Sequence, residues 1–511
     1  MVSFSRWFAK GKRKIERRLD KSKDTMTFRP MFSANNIRYE VAEKTHGINY
    51  GGIGLIHQMV QKIGLSEGIN QGLGLLKIHM PYHDSDHVLN FAYNAICGGV
   101  CMQDMELRRN DVNFLDALGA SRIPDPTTAG DYCRRYQEAN VINLINIINE
   151  TRLRVWKEQP ASFFDCATID MDGSLTPTDG ACKAGMDISY NGLWGYHPLI
   201  VSLANTGEVL SIINRPGNRP SHEGAAREAD RSVLLCLRAG FRKVLLRGDT
   251  DFSQTKYLDG WDALPRVRFI FGFDAMAKVR NIAKKLPKTA WRPLKRPARY
   301  QVKTKPRQRP ENVKDRIIKE REFDVLRLQS EEVAEFSYRP VLCGKPYRMV
   351  VVRKNITKEK GQPLLFPAEE VIRYFFYITN ERDWTADEIV FSANDRCNQE
   401  NLIAQLKNGV RALKTPVDTL ESNWAYMVMT ALAWNLKAWW ALLLPEPPGR
   451  WQERHRAEKQ WVLKIDFRTF LNAFVLLPCQ IFKTGRKLVY RLLGWNPHLS
   501  IFFRLIRKLR N

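Results

Sequence analysis

The sequence predicts an α/β fold in which a mixed sheet with flanking helices is interrupted by a β-rich insertion and lies between helical N-terminal and C-terminal regions. Helical periodicity runs from about residue 50 to residue 155. Apolar, β-branched runs with Gly-containing turns begin at Phe163. From there, strand and helix patterns alternate up to a basic, proline-containing interruption, which predicts a layered α/β unit.

The first region, residues 1–160, is predicted to be a helical DNA-binding region. Around Pro124, a short helix followed by DPTTAGDYCRRY permits a helix-turn-helix, and an all-helical packing domain without base contacts fits equally well. The first 24 residues are typical either of a helix along a phosphate backbone or of a disordered arm. Their basic side chains follow a helical repeat: Arg6, Lys10, Arg13, Arg17 and Lys21.

Residues 161–280 are predicted to form the first part of a catalytic core. FFDCATIDMDGSLTPT has the pattern of a strand that ends in a Gly turn, and YHPLIVSLA, NTGE and VLSIINRPGN have the pattern of a hairpin. Ser221 is expected to cap a helix that reaches Ala239. KVLLRGD and VRFIFGF are predicted strands separated by a short helix.

Three further segments follow the first part of the core. Between Lys284 and Arg321 there are fifteen Lys or Arg and three Asp or Glu, typical of a solvated loop or a nucleic-acid contact. FDVLRL, AEFSYRPVL and YRMVVVRKNI then alternate like strands of an antiparallel insertion. The predicted segments are a basic, β-rich insertion at 281–375, the second part of the core at 376–444, and a basic helical C-terminal region at 445–511.

Composition indicates a polyanionic partner and a reducing compartment. The net charge is +26, from 80 Lys and Arg against 54 acids, which favours nucleic acid over simple solubility charge. Nine scattered cysteines without a CxxC pair argue against disulfides and zinc fingers. The N-terminus has no apolar signal region, and the apolar run Met427–Pro445 is expected to be a buried helix. We therefore expect a cytoplasmic protein that does not bind membranes.

Carboxylates at predicted strand ends form a candidate metal site. Asp170 and Asp172 alternate on one strand and share a face, so either can be the first ligand. Asp249 ends a second buried strand. Adjacent strand ends would bring two carboxylates together, and their repulsion would raise one pKa unless a divalent ion is shared. Mg²⁺ suits such hard oxygen ligands.

The segment Ala393–Gly409 is predicted to supply a third carboxylate. On a regular helix of about 100° per residue, Arg396, Glu400 and Lys407 fall within about 40° of one another and form one charged stripe. When this segment is taken alone, an exposed salt-bridge face is the better explanation of the spacing. The stripe indicates a site because the chain supplies other carboxylates for Glu400 to meet.

These motifs resemble those of a known family. DGS at one strand end, RGDTDF at another, and Arg396-x3-Glu400-x6-Lys407 on a late helix are similar to motifs of the DDE transposases of bacterial insertion sequences. The resemblance is to the thirteen-eighty family of these transposases. The resemblance covers about residues 160–440 and implies an RNase-H-like core in a bacterial, nucleoid-associated protein. One departure is Ala393, where related groups place a Tyr.

The resemblance also implies roles for individual residues. Asp172, Asp249 and Glu400 would be the catalytic, metal-binding triad, with Asp170 as the alternative to Asp172. The cofactor would be Mg²⁺, as two ions, with Mn²⁺ expected to substitute. Arg396 and Lys407 would contact the terminal phosphates of the element.

The leading hypothesis is a transposase that binds the inverted ends of its element, cleaves them by two-metal phosphodiester hydrolysis and joins the 3′-ends to target DNA. Its partner would be double-stranded DNA, bound by a homodimer on paired ends. The alternative is a catalytically inactive, transposase-derived protein that only binds DNA. A plain nuclease would cut without preferring terminal sequences and without joining strands.

Overall fold

The structure is a computed structural model, and it describes residues 4–24, 37–39, 45–77, 81–296, 325–359, 369–485 and 487–510. The chain folds into two compact units. The first contains residues 1–159, 180–185 and 404–511, and the second contains residues 160–179 and 186–403. The five segments proposed from the sequence remain a prediction.

The α-helices of the described residues are, in chain order, α1 (Phe4–Asp24), α2 (Ile53–Lys62), α3 (Leu65–Gly72), α4 (Asp84–Ile96), α5 (Met105–Arg109), α6 (Val112–Leu118), α7 (Pro126–Arg134), α8 (Glu138–Lys157), α9 (Ala225–Ala239), α10 (Thr255–Asp262), α11 (Ala277–Lys285), α12 (Ala386–Asp395), α13 (Cys397–Ala404), α14 (Leu420–Leu442), α15 (Gln452–Lys464), α16 (Phe467–Phe470) and α17 (Leu499–Arg510). Two short π-helical turns follow α13 and α16, at Gln405–Gly409 and Leu471–Val475.

The strands are β1 (Gly47–Ile48), β2 (Ala167–Gly173), β3 (Thr176–Pro177), β4 (Asp187–Ile188), β5 (Trp194–Tyr196), β6 (Leu199–Leu203), β7 (Glu208–Ile213), β8 (Val244–Gly248), β9 (Val267–Phe273), β10 (Arg292–Pro293), β11 (Val325–Tyr338), β12 (Tyr347–Glu359), β13 (Glu369–Thr379), β14 (Cys479–Thr484) and β15 (Lys487–Leu492). Within the described ranges, nine of them form one sheet in the order β7-β6-β2-β8-β9-β13-β12-β11-β10.

The core of this sheet has the predicted RNase-H-like arrangement. β2 is flanked by the parallel strands β8 and β9 on one side and by the antiparallel hairpin β6–β7 on the other. β6 and β8 are buried along their whole length, which explains why their sequences are apolar except at Ser202 and Arg247. The fold class and the strands expected in this part of the chain are confirmed.

The insertion adds its strands to the same sheet. β13 pairs antiparallel with β9, and β12 and β11 continue the sheet outward from it. FDVLRL and AEFSYRPVL contribute to one long strand, β11, with an irregularity between Leu328 and Ser330. Residues 297–324, which include most of the basic stretch between Lys284 and Arg321, lie outside the described residues.

Helices cover both the core and the extended part of the sheet. α9 packs on β2, β6 and β8, and α12 packs on β9, β11 and β12. The side chains of Ile389 and Val390 on α12 join a buried apolar cluster with Leu245 and Ile270. The expected cap at Ser221 is wrong. α9 begins at Ala225, because Gly224 takes a positive φ of 74° that favours glycine and starts the helix there.

The first unit is built around α14. Nearly every residue of this helix is buried, and it packs against α4, α8 and α15. This confirms the buried helix expected from the apolar run that begins at Met427. In the part of the chain that the structure describes, no helix has the length and apolar character needed to cross a membrane. The C-terminal region also contains the hairpin β14–β15, which pairs with β1.

Candidate active site

Two carboxylates lie at neighbouring strand ends of the sheet. Asp172 is the penultimate residue of β2, and Asp249 directly follows β8. β2 and β8 are parallel, and their register pairs Asp170 with Arg247. Two residues further along each strand, Asp172 and Asp249 therefore emerge at the same edge of the sheet, as predicted from the alternation of side chains.

Arg396 bridges the two carboxylates. Its Nη1 lies 3.4 Å from Oδ2 of Asp172 and 4.0 Å from Oδ2 of Asp249. Arg396 is the residue between α12 and α13, so the break between these helices aims its guanidinium at the strand ends. Asp172 and Arg396 are largely buried, and Asp249 is about one-third exposed, with 35 % of its side-chain surface accessible.

The pKa values of Asp172 and Asp249 are both raised, although Arg396 lies beside them. Burial raises the pKa of Asp172 to about 6, and the negative charges of Asp249 and Glu400 add to the rise. Burial also raises the pKa of Asp249, and Asp251 contributes to this rise. Arg396 lowers both pKa values without restoring the ordinary ones. One guanidinium therefore does not compensate two buried carboxylates.

Glu400 lies in the first turn of α13 and is exposed to solvent. Its charge acts on Asp172, which places it within electrostatic range of the strand-end pair. Over the described ranges, no three His, Cys, Asp or Glu side chains are close enough together to hold a metal ion as a group. The structure thus brings together Asp172, Asp249 and Arg396, with Glu400 near Asp172 and outside that tight group.

Comparison with known proteins gives the family. The sequence profile of the transposase DDE domain, group 1, matches residues 45–457. The chain belongs to this transposase family. No curated protein matches it. Among solved structures, the chain is similar to a piggyBac transposase in a cryo-EM structure of a synaptic complex with hairpin DNA, with a TM-score of 0.35 and 9% sequence identity over 84% of this chain and 83% of that chain.

The expected charged stripe of the transposase is only partly formed. α12 ends at Asp395, α13 spans Cys397–Ala404, and Gln405–Gly409 is a π-helical turn. The spacing of a regular α-helix therefore does not hold from Arg396 to Lys407, and the prediction of one regular helix over this segment is wrong. Lys407 lies in the π-helical turn, which belongs to the first compact unit, whereas Arg396 and Glu400 belong to the second.

Asp170 and Asp172 have different surroundings despite sharing a strand face. Asp170 is 1% exposed and accepts two hydrogen bonds from Arg247, from Nε at 2.7 Å and from Nη2 at 2.8 Å. Asp172 is partly accessible and has Arg396 at a longer distance. Because its oxygens are already bound by a buried guanidinium, Asp170 is the less suitable metal ligand of the two.

Gly173 makes room for protein side chains. A Cβ at this position would lie 2.7 Å from Nε2 of His197 and 3.1 Å from Oγ of Ser221. In the structure the imidazole of His197 lies against Gly173. Nδ1 of His197 is in turn hydrogen-bonded to the carbonyl oxygen of Arg219 at 2.7 Å. His197 therefore has a structural role at the end of β2.

Two residues near the transposase site were missed by the sequence analysis. Arg247 and Gln399 are 6% and 2% exposed, and both connect the segment of Glu400 to the sheet. For Arg247 a signal existed, because an Arg inside a buried apolar strand requires a carboxylate partner. For Gln399 no such signal existed, because a glutamine on a helix is ordinarily a surface residue.

Proposed function

We propose that this transposase binds the ends of its insertion sequence, cleaves them by metal-assisted phosphodiester hydrolysis and transfers the 3′-ends to target DNA. The observation that carries the proposal is the pair Asp172 and Asp249, held at neighbouring strand ends within 4.0 Å of one guanidinium nitrogen in a chain of the DDE family. The more specific membership in the thirteen-eighty group is part of the proposal.

The carboxylates fit a divalent cation. Asp172 and Asp249 offer hard oxygen ligands, and the raised pKa values of both show that a positive charge would be stabilised there. Asp172 and Asp249 would hold the ions, with Glu400 as the third ligand. Bound Mg²⁺, or Mn²⁺ in its place, would activate a water or a 3′-hydroxyl and stabilise the charge on the scissile phosphate.

The basic residues would position DNA at this site. Arg396 already lies against the carboxylates, and its planar guanidinium suits bidentate phosphate binding. Lys407 would contact phosphate as a point charge. The net charge of +26 supports DNA as the partner, because phosphate contacts supply most of the sequence-independent affinity. A homodimer would pair the two ends.

The test is a cleavage and strand-transfer assay on labelled DNA that carries the sequences flanking the gene, in Mg²⁺, in Mn²⁺ and in EDTA. Asp249→Asn should abolish cleavage and leave DNA binding intact. Asp251→Asn is the matched control, because Asp251 is exposed and its hydrogen bond to Asp249 Oδ1, at 3.0 Å, is made by the backbone N–H, which this substitution keeps. Cleavage by Asp249→Asn at the wild-type rate would contradict the assignment.

The same assay tests the alternative function. A transposase-derived protein that only binds DNA would retain affinity for the ends and cleave nothing in either metal. The exposed position of Glu400 outside the tight group is the observation that favours this alternative. Cleavage that depends on both a divalent metal and Glu400 would exclude it.

A further inference from the structure

A buried polar row crosses the sheet beneath the segment that carries Glu400. Ser202 on β6, Asp170 on β2 and Arg247 on β8 are paired in register across three adjacent strands. All three side chains are buried. Polar groups in the middle of an apolar sheet are costly unless they are hydrogen-bonded, so each member of this row needs a partner.

Arg247 connects the row to the helix above it. Its Nε and Nη2 bind Asp170, and its Nη1 donates to the carbonyl oxygen of Ser392 in α12 at 2.7 Å. Asp170 lies two residues before Asp172, and Arg247 lies two residues before Asp249. Ser392 lies four residues before Arg396. One guanidinium therefore joins the three segments that carry the candidate site.

Gln399 makes a second connection, next to Glu400. Its Nε2 donates to the carbonyl oxygen of Ile200 at 3.2 Å, and its Oε1 accepts a hydrogen bond from Oγ of Ser202. Ile200 is the register partner of Asp172 on the neighbouring strand. Gln399 thus ties the first turn of α13 to β6 directly beside the strand end of Asp172.

We propose that Arg247 and Gln399 are positioning residues that fix the distance and orientation of Glu400 relative to Asp172 and Asp249. This inference rests on the proposed function. α13 has only eight residues, and a helix of that length is marginal by itself. Because the side chain of Glu400 is exposed to solvent, its position depends on the residues that tie α12 and α13 to the sheet.

A purely stabilising role for the Asp170–Arg247 pair can be separated from a positioning role. Asp170→Leu combined with Arg247→Met removes both charges and keeps apolar volume, a replacement that buried ion pairs often tolerate without loss of stability. The double variant loses the bond to Ser392. The matched control is Glu228→Leu combined with Arg231→Met, because Glu228 is buried and accepts a hydrogen bond from Arg231 Nη1 at 2.8 Å within α9, a helix that packs on the same sheet.

Two measurements decide the matter, and the first does not depend on activity. Hydrogen exchange of the amides in residues 386–404 should become about tenfold faster in the Asp170/Arg247 double variant, the change expected when one charge-assisted hydrogen bond is lost. Single-turnover cleavage should fall about 100-fold, as expected for a misplacement of about 1 Å, with the Kd for end DNA unchanged. The control pair should change neither quantity.

Two further variants keep the test decisive if the double variant unfolds. Arg247→Lys retains a charge opposite Asp170 but lacks the planar guanidinium whose separate nitrogens bind Asp170 and the Ser392 carbonyl, so exchange and cleavage should shift in the same directions by smaller factors. Ser202→Ala combined with Gln399→Leu removes the second connection without leaving the Ser202 hydroxyl unpaired, and it should act like the double variant.

The outcomes separate this proposal from the proposed function. Wild-type exchange in residues 386–404, or wild-type cleavage by both connection variants, would overturn the positioning role. If the wild-type protein itself cleaves no DNA, the proposed function fails, and the exchange measurement still decides whether Arg247 and Gln399 hold the segment of Glu400. Faster exchange with slower cleavage and intact DNA binding supports the proposal.

Discussion

Replacement of Asp172 by Asn should stabilise the protein in the absence of divalent metal while it abolishes cleavage. Asp172 is a largely buried carboxylate whose pKa is raised by burial and by two neighbouring carboxylates, even with Arg396 beside it. Above that pKa, the folded state must hold a negative charge in an environment that disfavours it. Asn has nearly the same shape and carries no charge, so this unfavourable contribution is removed.

The magnitude follows from the two pKa values of Asp172. The ordinary value is 3.8 and the folded value is about 6. Each pKa unit corresponds to about 1.4 kcal/mol, so the charged carboxylate lowers the free energy of unfolding by about 3 kcal/mol above pH 6. Between pH 3.8 and pH 6 the folded state binds more protons than the unfolded state, so stability falls as pH rises through this window. Below pH 3.8 the contribution is absent.

The assay is denaturant unfolding of wild type and Asp172→Asn in EDTA, at pH 8 and again near pH 4. Asp172→Asn should be more stable than wild type at pH 8, and the difference should shrink at the lower pH. Asp170→Asn is the matched control and should destabilise by about 3–5 kcal/mol, because it leaves Arg247 buried without its charge partner. A loss of stability in Asp172→Asn at pH 8 would show that Arg396 fully compensates this carboxylate and would refute the reasoning.

Three other predictions concern packing, DNA and metal. Gly260→Ala should add about 0.5–1 kcal/mol to the free energy of unfolding, because Gly260 is in α10 with open space at its Cβ position. Gly52→Ala should lower the free energy of unfolding, because its Cβ would lie 2.6 Å from Cα of Val475. Denaturant unfolding of the Gly260→Ala and Gly52→Ala variants compares these two effects. Lys407→Ala should reduce the slope of log K against log salt by about 0.9 if Lys407 contacts one phosphate, as measured by DNA binding at several salt concentrations. Mn²⁺ should raise the Tm of the wild-type protein at pH 8. It should have little effect on the Tm of Asp249→Asn, because this variant lacks one ligand charge. Equal Tm shifts in both proteins would contradict a metal site at Asp249.

The strands that position the candidate site could be predicted because their signal is local. β8 and β9 are runs of buried apolar residues, and the hairpin β6–β7 has a Gly-containing turn between two such runs. In these segments, burial on both faces of the sheet determines the composition directly. The pairing order and the parallel register of β2 with β8 are not contained in these local runs and are given by the structure.

The helix of Glu400 could not be predicted in detail, because its irregularities do not arise from periodicity. Arg396 stands between α12 and α13, and a π-helical turn begins at Gln405. The side chain of Gln405 accepts a hydrogen bond from the backbone N–H of Phe467, a contact more than sixty residues away in the chain. A helical wheel with a fixed angle per residue contains no information about such contacts, so the placement of Lys407 on the charged stripe does not follow from that angle and stays a prediction.

The choice between Asp170 and Asp172 shows what one additional argument from sequence could have given. Both residues have the same side-chain direction on β2, so alternation cannot separate them. The next strand, however, contains Arg247 two residues before Asp249, and a buried arginine requires a carboxylate. If β2 and β8 are parallel and their terminal carboxylates lie at one edge, then Arg247 must lie opposite the residue two positions before the first of these carboxylates. That residue is Asp170, and it is paired with Arg247 in the structure. The same reasoning leaves Asp172 as the carboxylate with capacity for a cation, and the opposite signs expected for Asp170→Asn and Asp172→Asn test it.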